Sequence, residues 1–197
     1  MPRVDGARRV ALIAHERNLP YELVLVRAFY IFKPVVCNVL TFDESRAIGK
    51  CVTALSPEKG AKLAPPPSDP EAFARFEEAA SSEYSNLEAI TLKVGYGLLI
   101  KKYKDLSGPD QALVNKYFEE LKSTMSGYKL ILAECKFLAG DNIALADLFY
   151  LNGYAFQKVQ HLGVDWASHG PNVVRWWKEP SVLESWQAVR TQLNSTV

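Results

Sequence analysis

The chain has 197 residues, 48% of them apolar, and a formal net charge of +1. That length admits one large domain or two small ones with a normal core, and the near-neutral charge, with Lys and Arg interspersed among acids, excludes the electrostatic footprint of a nucleic-acid or anionic-lipid binder. The three cysteines, Cys37, Cys51 and Cys135, are widely spaced without a Cys-x-x-Cys pair, which argues against a disulfide framework or a zinc site and leads us to expect all three reduced.

The first apolar run, Val10 to Ala14, is too short for a signal peptide or a membrane span, so a cytoplasmic location is expected. Residues Ala7 to Arg17 read as an amphipathic helix with Val10, Ile13 and Ala14 on one side, stopped by Asn18-Leu19-Pro20. Tyr21 to Val26 alternates and is β-branched, as a strand would be. Beyond Pro34, Val35-Val36 and Val39 to Phe42 read as two short strands around a tight turn at Cys37-Asn38. Asp43-Glu44-Ser45 then opens a helix. A helix start presents unpaired N–H groups and a partial positive charge, so Ser45 suits a carboxylate and Glu44 an ammonium; the plainer alternative is that the two only cap the helix.

Pro65-Pro66-Pro67 and Pro70 mark an extended connector, which we place at residues 56–67 between a first domain, 1–55, and a second, 68–197. Ser68 or Asp69 caps the next helix, with Pro70 at its first position, and the pattern continues through Phe73, Phe76, Ala80 and Leu87 toward Tyr103, with Gly95 and Gly97 as expected kinks. A helix opening at Pro109 carries the stripe Leu113, Tyr117, Leu121, Met125, Tyr128 and Leu132, read as core rather than as ligand contacts. From Leu145 the sequence is apolar on nearly every side, a helix meant for the interior. Gly140 suits a positive φ before it, Ile143 and Leu148 occupy the positions of a hydrophobic staple, and Asp147 can reach back to accept backbone N–H bonds. Val173 to Val189, with Trp176, Trp177 and Trp186, reads as two short helices broken at Pro180. His15, His161 and His169 lie far apart, which gives no support to a hydrolase triad or a histidine metal site, and no glycine-rich phosphate loop is present.

Three stretches carry a family resemblance. Phe137-Leu-Ala-Gly-Asp-Asn-Ile-Ala-Leu-Ala-Asp147 resembles the turn and core helix of the cytosolic glutathione transferases. Arg8-Arg-Val-Ala-Leu-Ile-Ala-His-Glu-Arg-Asn-Leu-Pro-Tyr-Glu-Leu23 resembles the start of a phi-class enzyme or its fungal relatives, and Glu44-Ser-Arg-Ala-Ile48 the helix start that binds glutathione. The chain departs from the family at Ala144, where a Ser or Thr cap is usual and its loss costs about 1 kcal/mol.

The resemblance implies an α/β plus all-α protein: a thioredoxin-like N-terminal domain, here truncated, followed by an all-helical domain. It implies conjugation of the thiol of glutathione to electrophilic hydrophobic compounds. Glutathione is a co-substrate in that reaction, with no cofactor or metal, and the chain would act as a homodimer with neither a nucleic-acid nor a membrane partner. The implied glutathione contacts are Lys33, a cis Pro34, Glu44 and Ser45. The family's catalytic Ser falls on Val4, which has no hydroxyl to share with the sulfur, so no catalytic side chain is assigned. Tyr30 and Cys37 have no spacing that supports them as substitutes. The opening strand is missing before Ala7, and about twenty residues are missing between Val26 and Pro34, judged from the usual length of a crossover unit. Two other readings stay open: a catalytically impaired relative that binds glutathione or hydrophobic ligands, and a helical scaffold for protein association.

Overall fold

A computed structural model of the chain describes residues 4–21, 35–37, 40–42, 44–55, 62–95, 111–151 and 166–192. Helix α1 spans Val4–Glu16 and buries Leu12 and Ile13 completely. Its first turn includes Gly6, so the helix begins at Val4, ahead of the expected start at Ala7. The helical pattern continues outward to Val4 without a Pro to stop it. After α1, Asn18 takes a positive φ of 49° in the break before Pro20, a conformation Asn tolerates. Of the expected strand at Tyr21 to Val26 only Tyr21 is described, outside any strand; the rest of it, the segment with Tyr30 and Lys33, and the proposed cis bond at Pro34 fall outside the described residues.

Strands β1 (Val35–Cys37) and β2 (Leu40–Phe42) pair antiparallel, with Val35 opposite Phe42 and Cys37 opposite Leu40. Residues 38–39 connect them, one position later than the sequence suggests. Helix α2, Ser45–Ala54, follows and packs against α1 and β1. Cys51 on α2 is disulfide-bonded and Cys135 is free, which corrects the expectation that all three cysteines are reduced. One pair brought together by tertiary packing leaves no spacing signature in a sequence.

Helix α3 (Pro70–Ser82) begins as expected: Asp69 is its N-cap, accepting a hydrogen bond from the Ala72 N–H, and Pro70 takes the first position. At Glu83 the winding changes. Glu83–Glu88 is a π-helical segment, followed by α4 (Ala89–Gly95). The irregularity in this long helix is that segment, upstream of the expected kinks; Gly97 lies outside the described residues.

Helix α5 (Gln111–Glu134) buries Val114, Leu121, Met125, Tyr128 and Leu132. Leu113 is 39% exposed, against expectation, because one residue's rotation about the axis puts Val114 inward instead. Gly140, with φ of 136°, closes the turn before α6 (Leu145–Leu151), every residue of which is buried. Asp147 within it is 1% exposed and accepts from the Leu138 N–H at 3.1 Å, the Ala144 N–H at 2.8 Å and Trp176 Nε1 at 2.8 Å. Burial pushes this carboxyl up to about 6, even though the Ala144, Trp176 and Leu138 donors work in the opposite direction. A 3₁₀ turn (Trp166–His169) leads to α7 (Pro171–Ser181), and α8 (Glu184–Gln192) follows after a break at Val182-Leu183, just beyond Pro180.

Among the described residues one hydrophobic cluster joins the helices, running from Leu12 and Ile13 through Ile48 and Val52 to Phe76, Leu121, Phe149 and Trp176. No helix among the described residues is long and apolar enough to cross a membrane.

Candidate functional site

Glu44 and Ser45 stand at the start of α2, Glu44 as N-cap residue and Ser45 as the first helical residue. The Glu44 side chain is exposed and makes no capping hydrogen bond, so it does not spend its carboxylate on the helix. The first turn of α1 lies directly over Ser45: a Cβ built on Gly6 would meet the Ser45 Cβ at 3.5 Å. Two helix starts therefore converge, and their unpaired N–H groups and positive dipole ends favour an anion placed beside them.

Beneath Ser45 is a partly buried chain of charges, in which Arg9 and Glu83 are buried and Arg46 and Glu88 half-buried. Arg9 of α1 is 4% exposed; its Nη1 donates to Ser45 Oγ at 2.7 Å, and its Nη2 donates to Glu88 Oε1 at 3.1 Å. Arg46 donates from Nε and Nη2 to Glu83, at 2.9 and 2.7 Å, and from Nη2 to Glu88 as well. The π segment is what makes the double contact possible. Five residues apart on an α-helix, Glu83 and Glu88 would point about 140° away from each other, whereas i→i+5 winding brings them roughly one turn apart. The rings of Tyr84 and Phe149 lie under the Arg46 guanidinium, at 4.8 and 5.4 Å.

Burial pushes Glu83 up to about 7, and the Arg46 and Arg9 guanidinium groups only partly offset that. The reason is that Arg46 is shared between two carboxylates while Glu83 is 2% exposed. Burial also works against the charge on Arg46, but Glu83 and Glu88 together outweigh it and raise its pKa above the ordinary value. No group of three or more metal-ligating side chains occurs among the described residues. A cavity of about 440 Å³ lies toward the other end of α2, between Thr53, the Pro65–Pro67 connector, Phe73 and Phe76. None of its lining residues belongs to the Ser45 cluster, so helix polarity and charge locate the candidate site better than open volume does.

The chain is 35% identical over 194 residues to the glutathione S-transferase hmp2 of Hypomyces subiculosus, covering 90% of each sequence. It belongs to the glutathione S-transferase family. The transferase F13 of Arabidopsis thaliana is 29% identical over 187 residues, covering 87% of this chain and 84% of that one. The glutathione transferase F7 of Populus trichocarpa superposes with a TM-score of 0.83 at 24% identity, over 98% of this chain and 97% of that one, and so shares the transferase fold. No protein-family model matches the chain.

Of the glutathione contacts expected from the family, the structure brings Glu44 and Ser45 together at one helix start, while Lys33 and Pro34 lie outside the described residues. Val4 opens α1, with the first turn of that helix above Ser45. Sequence reasoning missed Arg9, Arg46, Glu83 and Glu88. An i,i+5 pair of acids has no meaning on a regular helix, and although Arg9 and Arg46 each stood inside a stretch quoted for the resemblance, nothing there pairs them with Glu83 or Glu88.

Proposed function

We propose that the chain conjugates the thiol of glutathione to electrophilic, hydrophobic compounds, with glutathione held at the start of α2. The observation that carries this reading is the exposed, uncommitted carboxylate of Glu44 beside the Ser45 hydroxyl at a helix start, on a chain of glutathione S-transferase descent. The γ-glutamyl end of glutathione carries one ammonium and one carboxylate. Glu44 meets the first; the Ser45 hydroxyl and the backbone N–H groups of α2 meet the second. Lys33 and Pro34 complete the site in this reading, through the Lys33 backbone and the cysteinyl part of the ligand.

The sulfur must be held as a thiolate to attack. Val4 offers no hydroxyl, so the donors left to it are the free N–H groups of the first turn of α1, and a helix start lowers a thiol pKa. Losing one preorganised donor costs about 10² to 10³ in rate. Turnover is therefore slow in this reading, while binding is retained. A thioredoxin-like first domain over residues 1–55, a homodimer and a cytoplasmic location belong to the same proposal.

The test is calorimetric titration of glutathione alongside conjugation of an aryl halide, for the native chain, Glu44→Ala, Ser45→Ala and Val4→Ser. Weaker binding in the first two variants and a turnover gain approaching 10²-fold in the third are expected. Native binding unchanged by both alanines would place the site elsewhere.

A further inference from the structure

We infer that Arg9 is a positioning residue for glutathione, fixing the Ser45 hydroxyl so that its proton points to the ligand, and that Glu88 and Arg46 hold Arg9 in place. The inference rests on the proposed γ-glutamyl site at Glu44 and Ser45.

A hydroxyl can donate one hydrogen bond and accept others, whereas a guanidinium only donates. Since Arg9 Nη1 donates to Ser45 Oγ at 2.7 Å, the Ser45 oxygen is the acceptor there and its own proton remains for another partner. A serine at a helix start would otherwise be free to turn its hydroxyl toward backbone groups and act as a cap. With Arg9 occupying the inner side of the oxygen, the proton faces away from the core, where a carboxylate has to arrive. The ligand group selected is thus an acceptor, and an ammonium at the same place is disfavoured.

Arg9 can do this only if its own position is fixed. Its Nη2 is held by Glu88 Oε1 at 3.1 Å and the Phe149 carbonyl at 3.4 Å, with the Phe149 ring 5.6 Å from the guanidinium carbon. Glu88 is in turn held by Arg46, whose other carboxylate partner is Glu83. The order Ser45, Arg9, Glu88, Arg46, Glu83 alternates acceptors with donors from the ligand face inward. Every charge in it meets an opposite one, which is what allows the cluster to stay buried.

A purely structural role predicts loss of stability; a positioning role predicts that the effect on ligand runs through Ser45. The experiment is a double-mutant cycle on glutathione affinity, by calorimetry, with Arg9→Lys, Ser45→Ala and the pair, and circular dichroism to monitor folding. Lysine keeps the charge opposite Glu88 but cannot bond Ser45, Glu88 and the Phe149 carbonyl in fixed directions at once. Arg9→Lys should weaken binding about tenfold and have no further effect once Ser45 is alanine. Glu88→Gln, which keeps an acceptor for Arg9, should give a smaller loss that also vanishes in the Ser45→Ala background; it carries the test should Arg9→Lys not fold. Equal losses with and without the Ser45 hydroxyl, or none from either substitution, would overturn the inference while leaving the site in place. No loss from Ser45→Ala alone would instead overturn the proposed site itself.

Discussion

Ile13 on α1 packs its end against α2 at Gly49. A Cβ built on Gly49 would lie 2.6 Å from Ile13 Cδ1 and 3.5 Å from Phe149 Cε1, so a side chain here would have to displace the end of the fully buried Ile13. Gly49→Ala gains roughly 1 kcal/mol of helix propensity but overpacks a core contact at a cost of about 1 to 3 kcal/mol. We expect net destabilisation in urea unfolding. Ile13→Val removes the offending methyl group, so the double variant should recover most of the loss; a double variant as unstable as the sum of the singles would show that Ile13 is not the obstacle.

Asp147 is the acceptor that three buried donors share. Asp147→Ala leaves two backbone N–H groups and the Trp176 indole unsatisfied, at about 3 to 5 kcal/mol. Denaturant unfolding followed by tryptophan fluorescence measures this, and a loss below about 1 kcal/mol would contradict the assignment.

Two buried carboxyls set a pH dependence. Glu83 and Asp147 hold their protons more tightly folded than unfolded, near 7 and near 6 against ordinary values of 4.5 and 3.8. A raised folded pKa means that the contribution to stability is complete below about pH 4 and is lost as pH rises through about 6 to 7. Unfolding midpoints measured across that window should therefore show these groups favouring the acid side. Glu83→Gln should flatten the upper part of the profile; a variant with the slope of the native chain would exclude Glu83 as its source.

The disulfide at Cys51 anchors the helix that carries Ser45. Titration of thiols in denaturant should gain two after reduction. Reduction or Cys51→Ser should lower stability by about 2 to 4 kcal/mol, read as a fall in the unfolding midpoint, and an unchanged midpoint would deny the bond a stabilising role.

The sequence made the local elements legible, and less of their assembly. Asp69-Pro70 announced α3, Glu44-Ser45 announced α2, and the unbroken apolar face at Leu145 to Leu151 announced the central helix, because caps and periodicity act over a few residues. What it hid depends on which helix meets which. The bond at Cys51, the outward turn of Leu113 and the Arg9 to Glu83 chain all arise from contacts between segments distant in sequence. The first helix also starts three residues ahead of the expected Ala7, since nothing in Val4 to Gly6 prevents helical winding.

Winding Glu83 to Glu88 as a π segment amounts to one surplus residue inserted in an otherwise regular helix. Loss of a single codon between Glu83 and Glu88 would restore ordinary winding and leave these two residues four apart, about 40° around the axis and still on one face. Ile90 and Val94, beyond the segment, would keep their inward face. Length is therefore more negotiable here than residue identity: the winding can absorb a lost residue, while replacing Glu83 or Glu88 takes a carboxylate from Arg46 or Arg9.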